Sequence, residues 1–329
     1  MDPDKTDLSI VVPVYQGEES LDELVSRIAD VCTQEYARFE LILVNDGSTD
    51  DSWNSIVRLS KSFPWVTGID LSRNFGQHNA LLCGIKTARY PVTVTMDDDL
   101  QHPPEEIPSL VRFLLDHDHD VVYGAPEEER HGLLRDASSV LIKRILRLVT
   151  KVDSMRQVSA FRAFRTKLTS TFSNYSSPYV SLDVLLTWAT GNFGSVTVPH
   201  ELRARGVSNY TIRSLIRHAV NLATGFSLMP LRVATISGFA FSVFGGLVFA
   251  YVLARYFLEG GSIPGFPFLA SIIAIFSGVQ LFALGVIGEY LGRIYVQAMG
   301  RPSFVVRTTT EGLAEDDRDQ PEMEKRASQ

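Results

Sequence analysis

The run from Thr95 to Glu106, TMDDDLQHPPEE, sets three carboxylates side by side directly after the apolar stretch Pro91-Val92-Thr93-Val94. Adjacent like charges repel, so such a triplet either sits in a solvated turn or meets a cation. If extended geometry continues past the strand, Asp97, Asp99 and Gln101 project to one side and Asp98 to the other. Two carboxylates and an amide oxygen on one side suit a hard divalent cation, Mg²⁺ or Mn²⁺. Such an ion takes oxygen ligands and usually shares them with substrate phosphates. A second polar knot, Asn45-Asp46-Gly47-Ser48, ends another apolar stretch, where Asp46 suits either an Asx-turn or a contact to a ligand's donors. A third, beginning at Tyr15, follows Leu8–Val14.

The elements that must position these groups alternate. Leu8–Val14, Phe39–Val44, Val66–Leu71 and Val92–Met96 read as strands, and Glu18–Val31, Asp50–Ser62 and Asn79–Ala88 as helices. Strands alternating with helices imply parallel βαβ units in one sheet. Ligands of such sheets sit beyond the carboxyl ends of the strands, so Tyr15, Asp46 and Asp97 should line one crevice. No Gly-x-Gly-x-x-Gly and no Walker-type Gly-Lys-Ser/Thr follows any of these strands, which weighs against a dinucleotide oxidoreductase and a P-loop enzyme.

A net charge of −7 argues against a nucleic-acid binder, because no basic excess exists to neutralise phosphates. Cys32 and Cys83 are the only cysteines, so there is no disulfide framework and a reducing compartment fits. The N-terminus carries no signal-peptide pattern. From Val233 to Ala254 and from Gly260 to Gly288 there is no charged residue. Each stretch exceeds the ~20 apolar residues that cross ~30 Å of hydrocarbon. Two spans joined by a short turn form a hairpin with both outer ends on one side. Arg213, Arg217 and Arg232 before it and Arg293, Arg301 and Arg307 after it assign that side to the cytoplasm. The expected location is the inner (plasma) membrane, with the catalytic half and both termini cytoplasmic.

Four runs, VVPVYQGEESL, VNDGSTDDS, LSRNFGQHNALLCG and MDDDLQHPPE, resemble in order the signature set of the family 2 glycosyltransferases with the GT-A fold. RARGVSNY and GVIGEYLGRIY are similar to those of one subgroup, the membrane-bound polyprenyl-phosphate glycosyltransferases (dolichol-phosphate mannose synthase-like, GtrB-like and ArnC-like enzymes). The resemblance covers about residues 8 to 307. It implies an α/β fold: a GT-A (Rossmann-like, mainly parallel) domain, then an interfacial amphipathic segment and a two-helix transmembrane hairpin. The expected boundaries are 1–208 for the GT-A domain and 209–232 for the interfacial stretch. Spans of about 233–256 and 267–290 follow within 233–307, and 308–329 should be a charged, disordered tail.

The resemblance also assigns roles. Pro13 and Tyr15 would border the nucleotide and Asp46 would hydrogen-bond its base or ribose. Asp97, Asp98 and Asp99 would be the family's Asp-x-Asp, with Asp97 on either metal or ribose, Asp99 on the metal and Gln101 a further ligand. Arg135 and Ser139 share one face of the basic, leucine-rich segment Arg130–Val149 and would hold the lipid phosphate. That segment equally suits a half-exposed amphipathic helix. Arg203, in a loop around Gly206, would meet the diphosphate. The implied reaction is metal-dependent, inverting sugar transfer from a UDP-, GDP- or dTDP-linked donor to undecaprenyl or decaprenyl phosphate, for cell-envelope glycan modification. A separate flippase and a downstream glycosyltransferase would be pathway partners. Gly245-Gly246 suggest pairing with a second copy. The alternative reading is a catalytically inactive membrane scaffold.

Five positions depart from the family pattern. Gln16-Gly17 stand where Asn-Glu is common, Asp98 where a small residue is usual, Asn209 where a lysine is usual, and Ala160 where relatives carry Asp. No general base is therefore assigned. A phosphate monoester is already anionic at neutral pH and attacks without losing a proton, so the burden falls on charge neutralisation and alignment. Arg162 and Arg165 are candidates to assist, with a structural role equally open for each.

Overall fold

The computed structural model describes residues 6–126, 158–175, 177, 180–199, 228–259 and 265–312. The acceptor segment with Arg135 and Ser139, the loop with Arg203 and the stretch 209–227 lie outside the described residues.

Eight strands form one sheet: β1 (Leu8–Val14), β2 (Phe39–Asn45), β3 (Val66–Leu71), β4 (Val92–Thr95), β5 (Val121–Pro126), β6 (Arg162–Arg165), β7 (Phe193–Val198) and β8 (Val306–Thr309). Their order is β7-β5-β6-β4-β1-β2-β3-β8. The β1–β2, β1–β4, β2–β3 and β5–β7 pairs are parallel. Among the described residues, only β6 and β8 run against their neighbours.

The strands are near-continuous apolar runs because helices cover both faces. Leu8, Ile10, Val12 and Val14 of β1 face one core layer, where Leu21, Leu24, Val25, Ile28 and Cys32 of α1 (Leu21–Glu35) meet them. Helices α2 (Ser52–Ser62) and α4 (Ile107–Asp116) complete that layer. Val11, Ile42 and Val44 turn to the opposite face, under α3 (Gln77–Thr87) and α5 (Leu182–Ala189). Each fully buried Leu, Ile or Val contributes about 1.5–3 kcal/mol of transfer free energy, so the α1 face helps to hold β1, the interior strand that leads into Tyr15.

One part of the core is polar. Arg162 is 2% exposed and pairs with Asp183, itself buried. Tyr123 donates its hydroxyl to the same carboxylate at 3.0 Å. Arg162, a candidate to assist catalysis, is thereby committed to the fold. Arg165 likewise pairs with Asp118 at 2.6 Å and lies 3.7 Å from Asp120.

The strand β8 corrects the expectation that the tail begins at 308. Thr308 pairs with Asp70 and Thr309 with Ile69. Arg307 reaches the buried Asp70 carboxylate at 3.0 Å, and the Gly68 amide donates to Thr310 Oγ1 at 3.0 Å. β3 offers an open edge, and these four residues satisfy its backbone groups. Residues after the hairpin thus return to the catalytic unit, which comprises Met1–Thr211 and Arg301–Gln329.

The second unit, Ile212–Gly300, contains α6 (Met229–Glu259) and α7 (Phe266–Ala298). Both exceed the expected spans at their outer ends. Within them, Met229–Val252 and Ile275–Ala298 are long and apolar enough to cross a membrane. α7 carries its charges along one side as a Glu289–Arg293 pair at 2.9 Å. The two helices pack on each other: a Cβ on Gly245 would come within 2.7 Å of the Phe276 ring, and Phe241 meets Phe276 edge-on at 6.1 Å. Gly245 therefore serves contact within the hairpin, whereas Gly246 has no atom near its Cβ position.

Candidate active site

The register brings the ends of β1, β2 and β4 together. Val14 lies beside Asn45, and β4 ends earlier, with Thr95 opposite Val11. The chain that leaves each end enters one cleft of about 250 Å³. Pro13, Tyr15, Asp46, Asp97, Asp98 and Asp99 line it, as the strand-end rule anticipates, together with Asn74, Gly76 and Gln77. Those three belong to the segment after β3 (Val66–Leu71). The same rule applied to LSRNFGQHNALLCG would have found them.

The acidic triplet reaches the cleft by a turn, not by strand alternation. β4 stops at Thr95, and Leu100 takes a left-handed backbone, φ 60°. The expected common side for Asp97, Asp99 and Gln101 therefore does not arise from pleating. Each carboxylate instead has its own partner. Asp97 accepts from Gln77 Nε2 at 2.6 Å, Asp99 accepts from the Gln101 amide at 3.1 Å, and Asp98 accepts from the Tyr15 amide at 3.4 Å. Gln101 contributes its backbone here and its residue is not among those lining the cleft.

Asp98 is pushed up to about 7, first by burial and then by the charges of Asp97 and Asp99. Negative charge concentrated in a cleft fits a divalent cation. Among the described residues no cluster of three His, Cys, Asp or Glu side chains forms a complete cage. Two carboxylates with substrate phosphates completing the shell is the arrangement such hard ions commonly take at phosphate sites.

Asp46 is 2% exposed, and its two oxygens accept from the amides of Phe75 and Gly76 at 2.7 and 2.9 Å. Burial raises its pKa above the ordinary carboxylate value, against those two amides and Arg73, which pull it down. The carboxylate expected to hold the base or ribose thus also ties the β2 loop to the β3 loop. Gly47 permits the approach: its φ is +64°, and a Cβ there would lie 2.5 Å from the Asn74 nitrogen. Arg73 stacks over Phe75, 4.2 Å from the ring centre, and stiffens the same loop.

The loop after β1 is held just as closely. The amides of Gln16, Gly17 and Glu18 donate to Ser48 Oγ, Ser52 Oγ and Asp50 Oδ2 at 3.0, 3.1 and 3.3 Å. These contacts keep Gln16 in a left-handed conformation, φ 55°, which costs a residue with a side chain about 1–2 kcal/mol. The result presents the Tyr15 ring, 49% exposed, at the mouth of the cleft. The Ala160 carbonyl, just ahead of β6, accepts from Thr95 Oγ1 at 3.0 Å.

The mainly parallel sheet thus carries a carboxylate cluster at the switch point between β1 and β4, where ligands of such sheets bind. The family model described as glycosyl transferase family 2 matches residues 9–172, and the chain belongs to that family. It is 35% identical, over 93% of both chains, to the undecaprenyl-phosphate 4-deoxy-4-formamido-L-arabinose transferase of Shewanella sediminis. To the transferase of the same description from Pseudomonas aeruginosa it is 33% identical, over 95% of this chain and 94% of that one. Among solved structures it is similar in fold to glucosyl-3-phosphoglycerate synthase from Mycobacterium tuberculosis. The form with Mg²⁺ and UDP superposes with a TM-score of 0.51 at 14% identity, covering 67% of this chain and 79% of that one. The form with Mn²⁺, UDP and glucosyl-3-phosphoglycerate also gives 0.51, at 15% identity over 67% and 80%. These likenesses establish the GT-A fold.

Proposed function

We propose that this chain transfers a sugar from a nucleotide sugar to a polyprenyl phosphate, undecaprenyl or decaprenyl, at the cytosolic face of the inner membrane. The observation that carries this reading is the 35% identity along 93% of both chains to a transferase named for undecaprenyl phosphate. The acidic cleft and the two membrane-length helices support it independently.

Asp97 and Asp99 would hold Mg²⁺ or Mn²⁺. When bound, that ion supplies neutralisation of the charge that builds on the departing diphosphate. Tyr15, Pro13 and Asp98 border the nucleotide, and Asp46 keeps the surrounding loops in register. On the acceptor side, Arg135 and Ser139 grip the lipid phosphate and Arg203 meets the diphosphate. A phosphate oxygen attacks the anomeric carbon as the bond to the diphosphate breaks, which releases a nucleoside diphosphate and inverts the centre. No proton moves, which accords with Ala160 in place of a carboxylate. Both termini remain cytosolic, and a flippase and a downstream glycosyltransferase take up the product.

The test is a panel of radiolabelled UDP-, GDP- and dTDP-sugars, UDP-4-deoxy-4-formamido-arabinose included, with undecaprenyl or decaprenyl phosphate and Mg²⁺ or Mn²⁺. Transfer of label to the lipid phase, abolished by chelation, is expected for at least one donor. Absence of both transfer and nucleotide-sugar hydrolysis across the panel would mean that the chain is a scaffold.

A further inference from the structure

Position 17 carries no side chain, position 98 carries a carboxylate, and the two lie against each other beside the cleft that Asp98 lines. A Cβ placed on Gly17 would collide with Asp98 Oδ2 and come within 3.2 Å of both Asp98 Cγ and Val14 Cγ1. Asp98 Oδ2 accepts the Tyr15 amide at 3.4 Å, so moving it aside for a Cβ at position 17 gives up that contact. Asp98 sits there because its oxygen receives the Tyr15 amide. Its neighbours in the triplet are turned to other partners, Gln77 for Asp97 and the Gln101 amide for Asp99.

The four consecutive amides from Tyr15 to Glu18 are divided between two loops. Ser48, Ser52 and Asp50, all after β2, hold the last three. Only the first, that of Tyr15, is received from the β4 loop, by Asp98. Asp98 is therefore the side chain that links the Tyr15 loop to the acidic turn, and Tyr15 is the half-exposed ring at the cleft mouth.

We propose that Asp98 is a positioning residue for the donor nucleotide, whose carboxylate seats the Tyr15–Gly17 loop, and that Gly17 exists to leave it room. Positions 17 and 98 form a coupled pair that accommodates one side chain between them. The nucleotide part of this inference rests on the donor reading above, whereas the coupling of the two positions does not.

A double-mutant cycle on the purified full chain tests it. Gly17→Ala, Asp98→Ala and the double variant are compared by thermal midpoint without ligand. Binding of whichever of UDP, GDP or dTDP the wild type takes up with Mn²⁺ is then measured by isothermal titration. Gly17→Ala should lower the midpoint and weaken nucleotide binding about tenfold. Adding Asp98→Ala to it should recover part of both losses, because the collision is gone. Asp98→Asn keeps an oxygen for the Tyr15 amide and should lose less nucleotide affinity than Asp98→Ala. Losses that simply add in the double variant would overturn the coupling. Equal losses in Asp98→Asn and Asp98→Ala, with Mn²⁺ binding also lost in the absence of nucleotide, would make Asp98 a metal ligand and overturn the positioning role. If the wild type bound none of the three nucleotides, the donor reading would fall, while the thermal cycle would still decide whether the pair is coupled.

Discussion

At Asp183 a buried negative charge is answered inside the fold: Arg162 pairs with it and Tyr123 donates to it. At Asp98 the surroundings work the other way, since burial and the charges of Asp97 and Asp99 push its carboxyl up to about 7. Both aspartates belong to one sheet-based unit, yet they have opposite electrostatic histories. Glu40 and Asp70 follow the first pattern, with Arg89 at 2.9 Å and Arg307 at 3.0 Å. Repulsive charge at the ends of β1 and β4 works against folding, so its presence points to a partner from outside the chain. Internally answered charge, by contrast, organises the strands that carry the site.

The comparison breaks first at Asp99. Asp99→Ala should reduce sugar transfer about a thousandfold, roughly 4 kcal/mol in barrier, while the thermal midpoint hardly moves. Radiolabel transfer beside a thermal melt would show both. Activity above a tenth of wild type would remove Asp99 from the site. Asp183→Ala should do the reverse. It leaves Arg162 buried without its partner, and urea unfolding should reveal about 3 kcal/mol of lost stability. A variant as stable as wild type would mean that the pair does not hold α5 against β6.

Arg135→Ala sharpens the contrast between donor and acceptor sides. It should raise KM for the lipid phosphate about tenfold, the usual scale of a lost charge-assisted contact, and leave KM for the nucleotide sugar nearly unmoved. Parallel weakening of both substrates would reassign that segment to structure. The smallest expected effect is at Ala160, whose carbonyl is bound by Thr95 just ahead of the acidic turn. Ala160→Asp adds another negative charge where an anionic acceptor must approach, so kcat should not rise. A large gain with a new basic limb in the pH profile would show that the reaction wants a base after all.

Much of the first half was readable because its information is local. An apolar run covered on both faces is a buried parallel strand wherever it occurs, and the polar residue that ends it marks the ligand side. Tyr15, Asp46 and Asp97 could be gathered into one cleft on that basis alone. Asn74, Gly76 and Gln77 were equally accessible by the same rule. Pleating does not set Asp97, Asp99 and Gln101 on one side, because the strand ends two residues before Asp97 and a left-handed residue at Leu100 redirects the chain. Strand ends depend on pairing with neighbours, which local pattern does not carry.

Residue types and their spacing by themselves determined the α/β class, the strand-end carboxylates and two stretches long enough for a bilayer. Tertiary structure alone decided which of those charges are answered. Arg162 becomes a core ion pair because β5, β6 and α5 converge on it. Asp46 becomes a loop tie because the β3 loop delivers two amides to it. Thr308 and Thr309 become a strand because β3 has an open edge far away in sequence. Gly17 and Asp98 share one space because the loops of β1 and β4 meet. The reason is common to all four: a side chain's chemistry travels with its residue, but its partner is chosen by packing between segments that the linear order keeps apart.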